Sequence, residues 1–322
     1  MQKRRFMGAV LAAVVSFTCH GQPAWPAKAV TLVSTAPAGG SIDAVARIVA
    51  SELTDSLGKP VIVDIRSGAG GNIAAGFVAK AEPDGYTLLI TASSTLTVNP
   101  HIYRSLPFDP ERSFAPVIMP AGQNLILVVH PKLGVSNVRE LIALLKARPG
   151  KLNYASGGTG NLQHLAGEIF NFETRTQANH VPYKGAAPAL QDLIAGETDY
   201  LFDSSTSIPH VKAGKLLALA VVGPSKVAEL PGVPTFRDAG MPWMEAARGY
   251  YAILAPAGTP AAIVSEANTR IATALKKPAN AAKISAQGLD AVTSTPEALG
   301  AALRQDRSRF ADVVRKANIV AQ

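Results

Sequence analysis

Cysteine is all but missing from this chain. Cys19 is its only one, so a form trimmed after residue 24 holds none. Disulfides and cysteine metal sites are thereby excluded from it, although export would permit disulfides. The apolar run at residues 6–17 (FMGAVLAAVVSF) is shorter than the ~20 residues a membrane-spanning helix needs. No basic tract interleaves with aromatics, so a nucleic-acid groove is not indicated. The formal net charge is +8, and Lys3, Arg4 and Arg5 are the only charged residues before residue 25; the rest carries 28 basic and 23 acidic residues, or +5. That surplus is mild and favours anionic partners only slightly.

Signatures of catalysis are also missing. Neither glycine-rich turn ends in the Gly-Lys-Ser/Thr of a P-loop. The glycines at 68–71 lead to Gly76, which breaks the G-x-G-x-x-G spacing. There is no G-x-S-x-G elbow and no H-E-x-x-H. His101, His130, His164, His180 and His210 are not paired at metal-ligand spacing. Ser56-Leu57-Gly58-Lys59 matches S-x-x-K at a helix end, as chance does. The sequence thus implies no cofactor, no metal and no enzyme.

What the first residues do hold is a basic head, an apolar core and a small-residue exit up to Ala24, the three parts of a cleavable secretory signal. The working protein is expected to start near Trp25. Gln22 at −3 is not the ideal small residue for that cut. Ser16-Phe17-Thr18 before Cys19 matches a lipoprotein box poorly. Residues 25–322 suffice for two lobes of about 100–150 residues, each with its own core.

Residues 29–34 (AVTLVS) read as a short strand, followed by the turn Pro37-Ala38-Gly39-Gly40. A helix is expected from Ser41, with Ser41 as N-cap and Asp43 in the first turn. Its apolar face runs through Ile42, Val45, Ala46, Val49, Leu53 and Leu57. Strands at 61–65 and 86–92 alternate with a helix at 72–80. The same grammar returns beyond a crossing point near Gln123-Asn124. Strands are expected at 125–129, 152–155, 180–183, 200–203 and 216–222, and Ser156-Gly157-Gly158-Thr159-Gly160 leads into a helix opened by Asn161. A strand at 250–254 carries the chain back, and helices complete it. Strand alternating with helix predicts a mostly parallel sheet with helices on both faces. The preferred organisation is residues 1–24 as signal, 25–124 and 247–322 as a discontinuous first lobe, and 125–246 as an inserted second lobe. Two consecutive domains remain the alternative.

Ligands of open α/β sheets sit at the carboxyl ends of strands. Residues 37–41 and 156–161 qualify, one loop per expected lobe. Glycine lets the backbone approach a ligand, and the free N–H groups of the helix starts attract a carboxylate or phosphate. Thr91, Ser93, Ser94 and Thr95, after a first-lobe strand, offer hydroxyls to an anion or serve as turn and cap residues. Asp203 ends a second-lobe strand as a hydrogen-bond acceptor or a plain cap. Tyr183 and Lys184 end another; Lys184 reads equally as a pocket cation or a solvated surface lysine. His164, three residues after Asn161, reads as a cap, a cleft residue or a structural one.

Several stretches, in order, resemble the Bug family of periplasmic solute-binding receptors, which includes the binding components of tripartite tricarboxylate transporters. They are Trp25-Pro26, PAGGSID (37–43), GAGGNIAAGFVAKAEPDGYTLL (68–89), FAPV (114–117), LNYASGGTGNLQHLAGE (152–168), VPYKGAAPALQDLIAGETDYLFDS (181–204), LPGVPTFRDAG (230–240) and LAPAGTP (254–260). The resemblance implies an α/β fold of the two-lobed periplasmic binding protein type, type II-like, each lobe a mixed or parallel sheet flanked by helices. It implies a ligand in the interlobe cleft, held at Ala38, Gly39, Gly40, Ser41 and Asp43 and at Ser156, Gly157, Gly158, Thr159, Gly160 and Asn161, with Thr91, Ser93, Tyr183 and Asp203 nearby. The family's P-F-P-P-G-G reads Thr35-Ala36-Pro37-Ala38-Gly39-Gly40 here. An aromatic is missing at Ala36, which predicts a roomier pocket, and Thr159, Gly160, Asn161 and Gln163 stand where small hydroxyl residues are common.

The expected role is therefore a periplasmic receptor that closes on a small organic mono-, di- or tricarboxylate and hands it to inner-membrane transporter subunits. One alternative is a ligand-dependent signalling partner of a membrane sensor such as a sensor kinase. The other is an enzyme using the same cleft. No nucleic-acid partner is expected.

Overall fold

The computed structural model describes residues 25–316 and 319. The expected secretory signal, residues 1–24, lies outside the described residues.

The strands are β1 (Val30–Ser34), β2 (Val61–Ile65), β3 (Thr87–Ala92), β4 (Phe114–Gln123), β5 (Leu125–Val129), β6 (Asn153–Ser156), β7 (Asn179–Pro182), β8 (Tyr200–Asp203), β9 (Leu217–Val222), β10 (Gly249–Pro256) and β11 (Leu289–Ala291). The helices are α1 (Ser41–Leu57), α2 (Asn72–Val78), α3 (Ser94–Thr97), α4 (Asn99–Ile102), α5 (Val138–Ala147), α6 (Leu162–Thr174), α7 (Ala186–Ala195), α8 (Ile208–Lys212), α9 (Ala261–Leu275), α10 (Pro278–Ser285) and α11 (Pro296–Lys316).

Two sheets form, one per lobe. The first has order β11-β4-β10-β3-β1-β2 and the second β7-β6-β8-β5-β9. Pairs β1–β2, β1–β3, β6–β7 and β6–β8 are parallel, as strand–helix alternation predicts. The remaining pairs are antiparallel, so each sheet is mixed rather than mostly parallel. The antiparallel strands are those that carry the chain between lobes (β4, β5, β10) and two edge strands.

Each sheet is covered on both faces. Val45, Val49 and Leu53 of α1 pack with Ile271 of α9 against Leu32, Leu88 and Ile253, while Ala75 and Val78 of α2 join Leu299 and Leu303 of α11 on the opposite face. In the second lobe Leu141, Leu145, Leu165 and Phe170 cover one face, and Leu190, Leu193 and Ile208 the other. The C-terminal helix belongs to both lobes. Its Leu299 and Leu303 sit in the first-lobe core, and its Phe310 and Val314 in the second.

Asn124 is the single residue between β4 and β5, which lie in different sheets. Arg248 stands just before the return strand β10. Its Nε donates to Asn124 Oδ1 at 3.0 Å and its Nη2 to Asp290 Oδ2 at 3.0 Å, while Asn124 Nδ2 donates to the same Asp290 oxygen at 2.7 Å. Gly122 makes room for this knot, since an added Cβ would lie 2.0 Å from Arg248 Nη2. The two crossing segments are thus tied to each other at the hinge. Asp290→Ala is expected to cost about 1 kcal/mol, because the pair is only half-buried. A lower urea midpoint at unchanged slope is the measurement that checks it.

Candidate functional site

The parallel strands aim their carboxyl ends at the gap between the lobes. In the first lobe the chain leaves β1, turns at Gly39 (φ +82°) and enters α1, a helix of 17 residues. Gly40 takes the cap position (φ −78°, ψ 165°), so Ser41 is the first helical residue and not the N-cap the pattern predicts. Its hydroxyl is therefore free of capping, and it lies 2.5 Å from the Tyr251 hydroxyl of β10. Gln123 Nε2 reaches the same phenol at 3.4 Å. Asp43 is buried behind the loop. Its Oδ2 accepts from the Gly39 N–H at 2.9 Å and from Arg47 Nε at 2.9 Å. The Arg47 hydrogen bond, reinforced by that of Gly39, holds the carboxyl below its ordinary range despite burial. Asp43 shapes the turn from underneath.

The second lobe brings two helix starts together. Asn161 caps α6, a helix of 13 residues, its Oδ1 accepting from the His164 N–H at 2.9 Å. Gly185 precedes α7, a helix of 10 residues. Gly157 is wedged between the two starts, its O accepting from the Gly185 N–H at 3.1 Å and its N–H donating to Gln163 Oε1 at 2.7 Å. Gln163 Nε2 in turn donates to Asp203 Oδ1 at 3.0 Å. Asp203 is fully buried and also accepts from Thr206 Oγ1 at 2.6 Å. Burial pushes its carboxyl up.

Between the lobes lies a cavity of about 560 Å³, walled by Gly39, Ser41 and Ser94 on one side and by Asn161, Gln163, Ala186 and Ser204–Thr206 on the other, with Gln123, Asn124 and Gln287 at its floor and flank. The starts of α1, α6 and α7 all reach this wall. Among the described residues that line it, none is charged. A helix start presents N–H groups that lack intrahelical partners and carries a partial positive charge. The site can therefore take a small anion through neutral donors alone. A second cavity of about 560 Å³ adjoins it, with Ile208, Lys212 and Lys226 in its lining. Ser205 pressed against Gly288 stands between them. The starts of α1, α6 and α7 reach only the first cavity, which is the candidate site.

Residues 45–319 match the model of the tripartite tricarboxylate transporter family receptor. The chain belongs to that family. It is 36% identical over 294 residues to the protein BugT of Bordetella pertussis, covering 91% of this chain and 90% of the relative. An R. palustris protein solved with adipate is 34% identical with a TM-score of 0.78, covering 92% of this chain and 99% of that one. MatC from Rhodopseudomonas palustris, solved with bound malate, is 28% identical with a TM-score of 0.73, covering 90% and 100%. These are receptors of the two-lobed kind expected from the sequence, and the family is one of binding proteins rather than enzymes.

Within this receptor the residues singled out in the sequence divide by depth. Gly39, Ser41 and Asn161 reach the cavity wall. Ala38 is exposed on the same turn, and Gly40 sits between them as the cap. Ser156, Gly157, Gly158, Thr159 and Gly160 form the loop that sets Asn161 and the start of α6; Ser156 is fully buried, its Oγ accepting from the Gly158 N–H at 3.1 Å. Thr91 and Ser93 are buried away from the wall. Thr91 Oγ1 donates to Thr95 Oγ1 at 2.8 Å, and Ser93 Oγ accepts from the Tyr250 N–H at 3.4 Å. Tyr183 donates its hydroxyl to Asp192 at 2.7 Å, and Lys184 is exposed outside the wall. Ser94 reaches the wall from the hydroxyl run that follows β3, whereas Gln123, Thr206 and Gln287 are wall residues the sequence does not single out as such. Gln163, the second residue of α6, is marked in the sequence by standing where small hydroxyl residues are common.

Proposed function

We propose that this chain is an exported periplasmic receptor that closes its two lobes on a small organic carboxylate and delivers it to inner-membrane transporter subunits. The observation that carries this reading is the convergence of three helix starts on one uncharged cavity wall. Neutral donors bind a carboxylate without the desolvation cost of a buried lysine or arginine. Closing the lobes removes water and strengthens each of those hydrogen bonds. A cavity of about 560 Å³ lies within the range of small-molecule sites. The relatives solved with adipate and malate support a carboxylate as the ligand class. The wall residues of this cavity are the proposed contacts, with Asp43, Asp203 and the 156–160 loop holding them in place.

The test is mass spectrometry of small molecules released from natively purified protein, followed by a thermal-shift screen of mono-, di- and tricarboxylates. At a hundredfold excess over Kd, a true ligand is expected to add about 2.7 kcal/mol to stability. The matching amide should add nothing. A screen in which no carboxylate raises the melting temperature, and none is released, overturns the reading.

A further inference from the structure

The second-lobe loop rests on two imidazoles stacked beneath it. The rings of His164 on α6 and His180 on β7 lie 3.7 Å apart and 7° from parallel. Tyr154 of β6 stacks on His180 at 5.0 Å. His164 Nδ1 accepts the Gly160 N–H at 2.9 Å. His180 Nε2 lies 2.6 Å from Ser156 Oγ, the atom that also holds the Gly158 N–H. Two backbone N–H groups of the loop are thus fixed by the pair, one directly and one through a serine.

The contact to Gly160 decides the tautomer of His164. An acceptor at Nδ1 leaves the ring proton on Nε2, which faces Glu168 Oε1 at 3.9 Å. Gly160 is also where this loop meets the first lobe. It sits at φ +79°, and an added Cβ would lie 2.5 Å from Ile102 Cδ1 of α4. A shift of Gly160 therefore disturbs both the start of α6 and the loop's packing against α4.

We infer that His164 is a positioning residue for ligand capture, its Nδ1 lone pair holding Gly160 in the conformation that brings the loop against the first lobe. This rests on the receptor reading given above. A proton on Nδ1 would point one N–H at another, and the Gly160 amide would have to leave. Burial keeps that proton off. The groups that face the ring are Glu168 on α6, Tyr154 on β6 and His180 on β7, with Tyr200 of β8 behind Tyr154 at 5.6 Å. The Tyr154 hydroxyl donates to the Glu168 carboxylate, and burial pushes that carboxyl up. Burial, then the neighbouring charge of a protonated His180, brings His164 down to about 3. Burial brings His180 down to about 4. Protonating His180 leaves the Ser156 contact intact, since Ser156 Oγ accepts as well as it donates; protonating His164 does not spare the Gly160 contact. Both rings titrate near pH 6.5 in the unfolded chain. Below that pH the unfolded state binds more protons, so folding stability falls between about pH 6.5 and pH 3. The Gly160 contact itself breaks only at the acid end.

The experiment compares His164→Leu, which removes the acceptor, with His164→Asn, whose side-chain oxygen falls near the Nδ1 position and does not titrate. Adipate and malate affinities are measured at pH 7 and across pH 3–7, with circular dichroism to confirm the fold. The Leu variant is expected to bind about tenfold or more weakly, as a buried N–H left without an acceptor dictates. The Asn variant should bind within about threefold of wild type at pH 7; both proteins should lose affinity in acid as the ligand's own carboxyls protonate, and wild type should fall further than the Asn variant toward pH 3. In ligand-free protein the Gly160 amide resonance should move at acid pH in wild type and stay fixed in the Asn variant. Wild-type affinity in the Leu variant, or a Gly160 resonance that titrates alike in wild type and Asn variant, overturns the inference. If wild type binds no carboxylate at pH 7 while the Gly160 resonance behaves as described, the receptor reading fails and the His164–Gly160 link stands.

Discussion

Gly157→Ala is expected to lower carboxylate affinity roughly a hundredfold. The reason lies in what surrounds that position. A Cβ on Gly157 would sit 2.7 Å from the Ala186 N, 2.9 Å from the Gly185 C and 2.9 Å from Asn161 Nδ2. The first two are backbone atoms of the α7 start and cannot swing aside as a flexible side-chain tip can. The third belongs to the cap of α6. Forcing a methyl group into that gap separates the two helix starts that the second lobe offers to the cleft. Overpacking of this kind costs about 1–3 kcal/mol. Here it falls on the donors themselves. Gly232→Ala is the control: nothing lies within 4 Å of its added Cβ and its φ is ordinary, so affinity and melting temperature should match wild type. Calorimetric titration of the ligand found in the screen measures both variants. Equal affinity in Gly157→Ala and Gly232→Ala would remove the helix-start clamp from consideration.

Local chemistry made much of this arrangement legible beforehand. Glycine at 39 was readable because the turn between a strand and a helix needs a left-handed residue, and Gly39 has φ +82°. Asn161 was readable as a cap from its place before Leu162, Leu165, Ala166 and Ile169, and its side chain does cap α6. Ser41 was legible as a helix start but not in its role. Its hydroxyl meets Tyr251, 210 positions away, and no local pattern encodes such a partner. The sequence leaves Thr91 and Ser93 open for a related reason. A hydroxyl at a strand end can face the cleft or the core, and Thr95 and the Tyr250 N–H claim these two for the core.

The strand β4 went unread because Pro116, Pro120 and Gly122 interrupt it. Proline removes a ladder donor and glycine weakens a strand interior. The register of β4 against β10 accordingly slips twice between Tyr251 and Leu254. Without β4 and β11, the antiparallel half of the first sheet was not visible, and the sheet read as mostly parallel. Gln123 and Gln287 entered the wall only through that missing half, since β4 ends at Gln123 and β11 begins two residues after Gln287.

Asp203→Ala is expected to lower affinity by about tenfold to a hundredfold and stability by about 3 kcal/mol, whereas Asp203→Asn should lower affinity with little loss of stability. The two variants separate what the carboxylate does for the fold from what it does for the site. Asp203 is fully buried, and burial raises its carboxyl, so its charge is not there for net stability. Replacing the charge with a neutral amide of the same shape removes that desolvation cost and offsets a lost hydrogen bond. Alanine instead strands Gln163 Nε2 and Thr206 Oγ1, both of which the carboxylate accepts from. Gln163 is the pivot, because its other end holds the Gly157 N–H at 2.7 Å. An asparagine keeps one acceptor and turns the other oxygen into an N–H donor. The Thr206 hydroxyl can accept from it, but the Ser204 and Ser207 N–H groups that the carboxylate also serves cannot. Its oxygen is therefore drawn to them, and Gln163, which lines the cavity, loses its anchor. Chemical denaturation alongside ligand titration reads the two effects separately. Equal losses of stability in the two variants would mean that the charge itself, and not the pair of acceptors, holds the β8 end in place. An Asn variant that binds as tightly as wild type would take Gln163 out of the site and leave the wall to the helix starts and to Ser41.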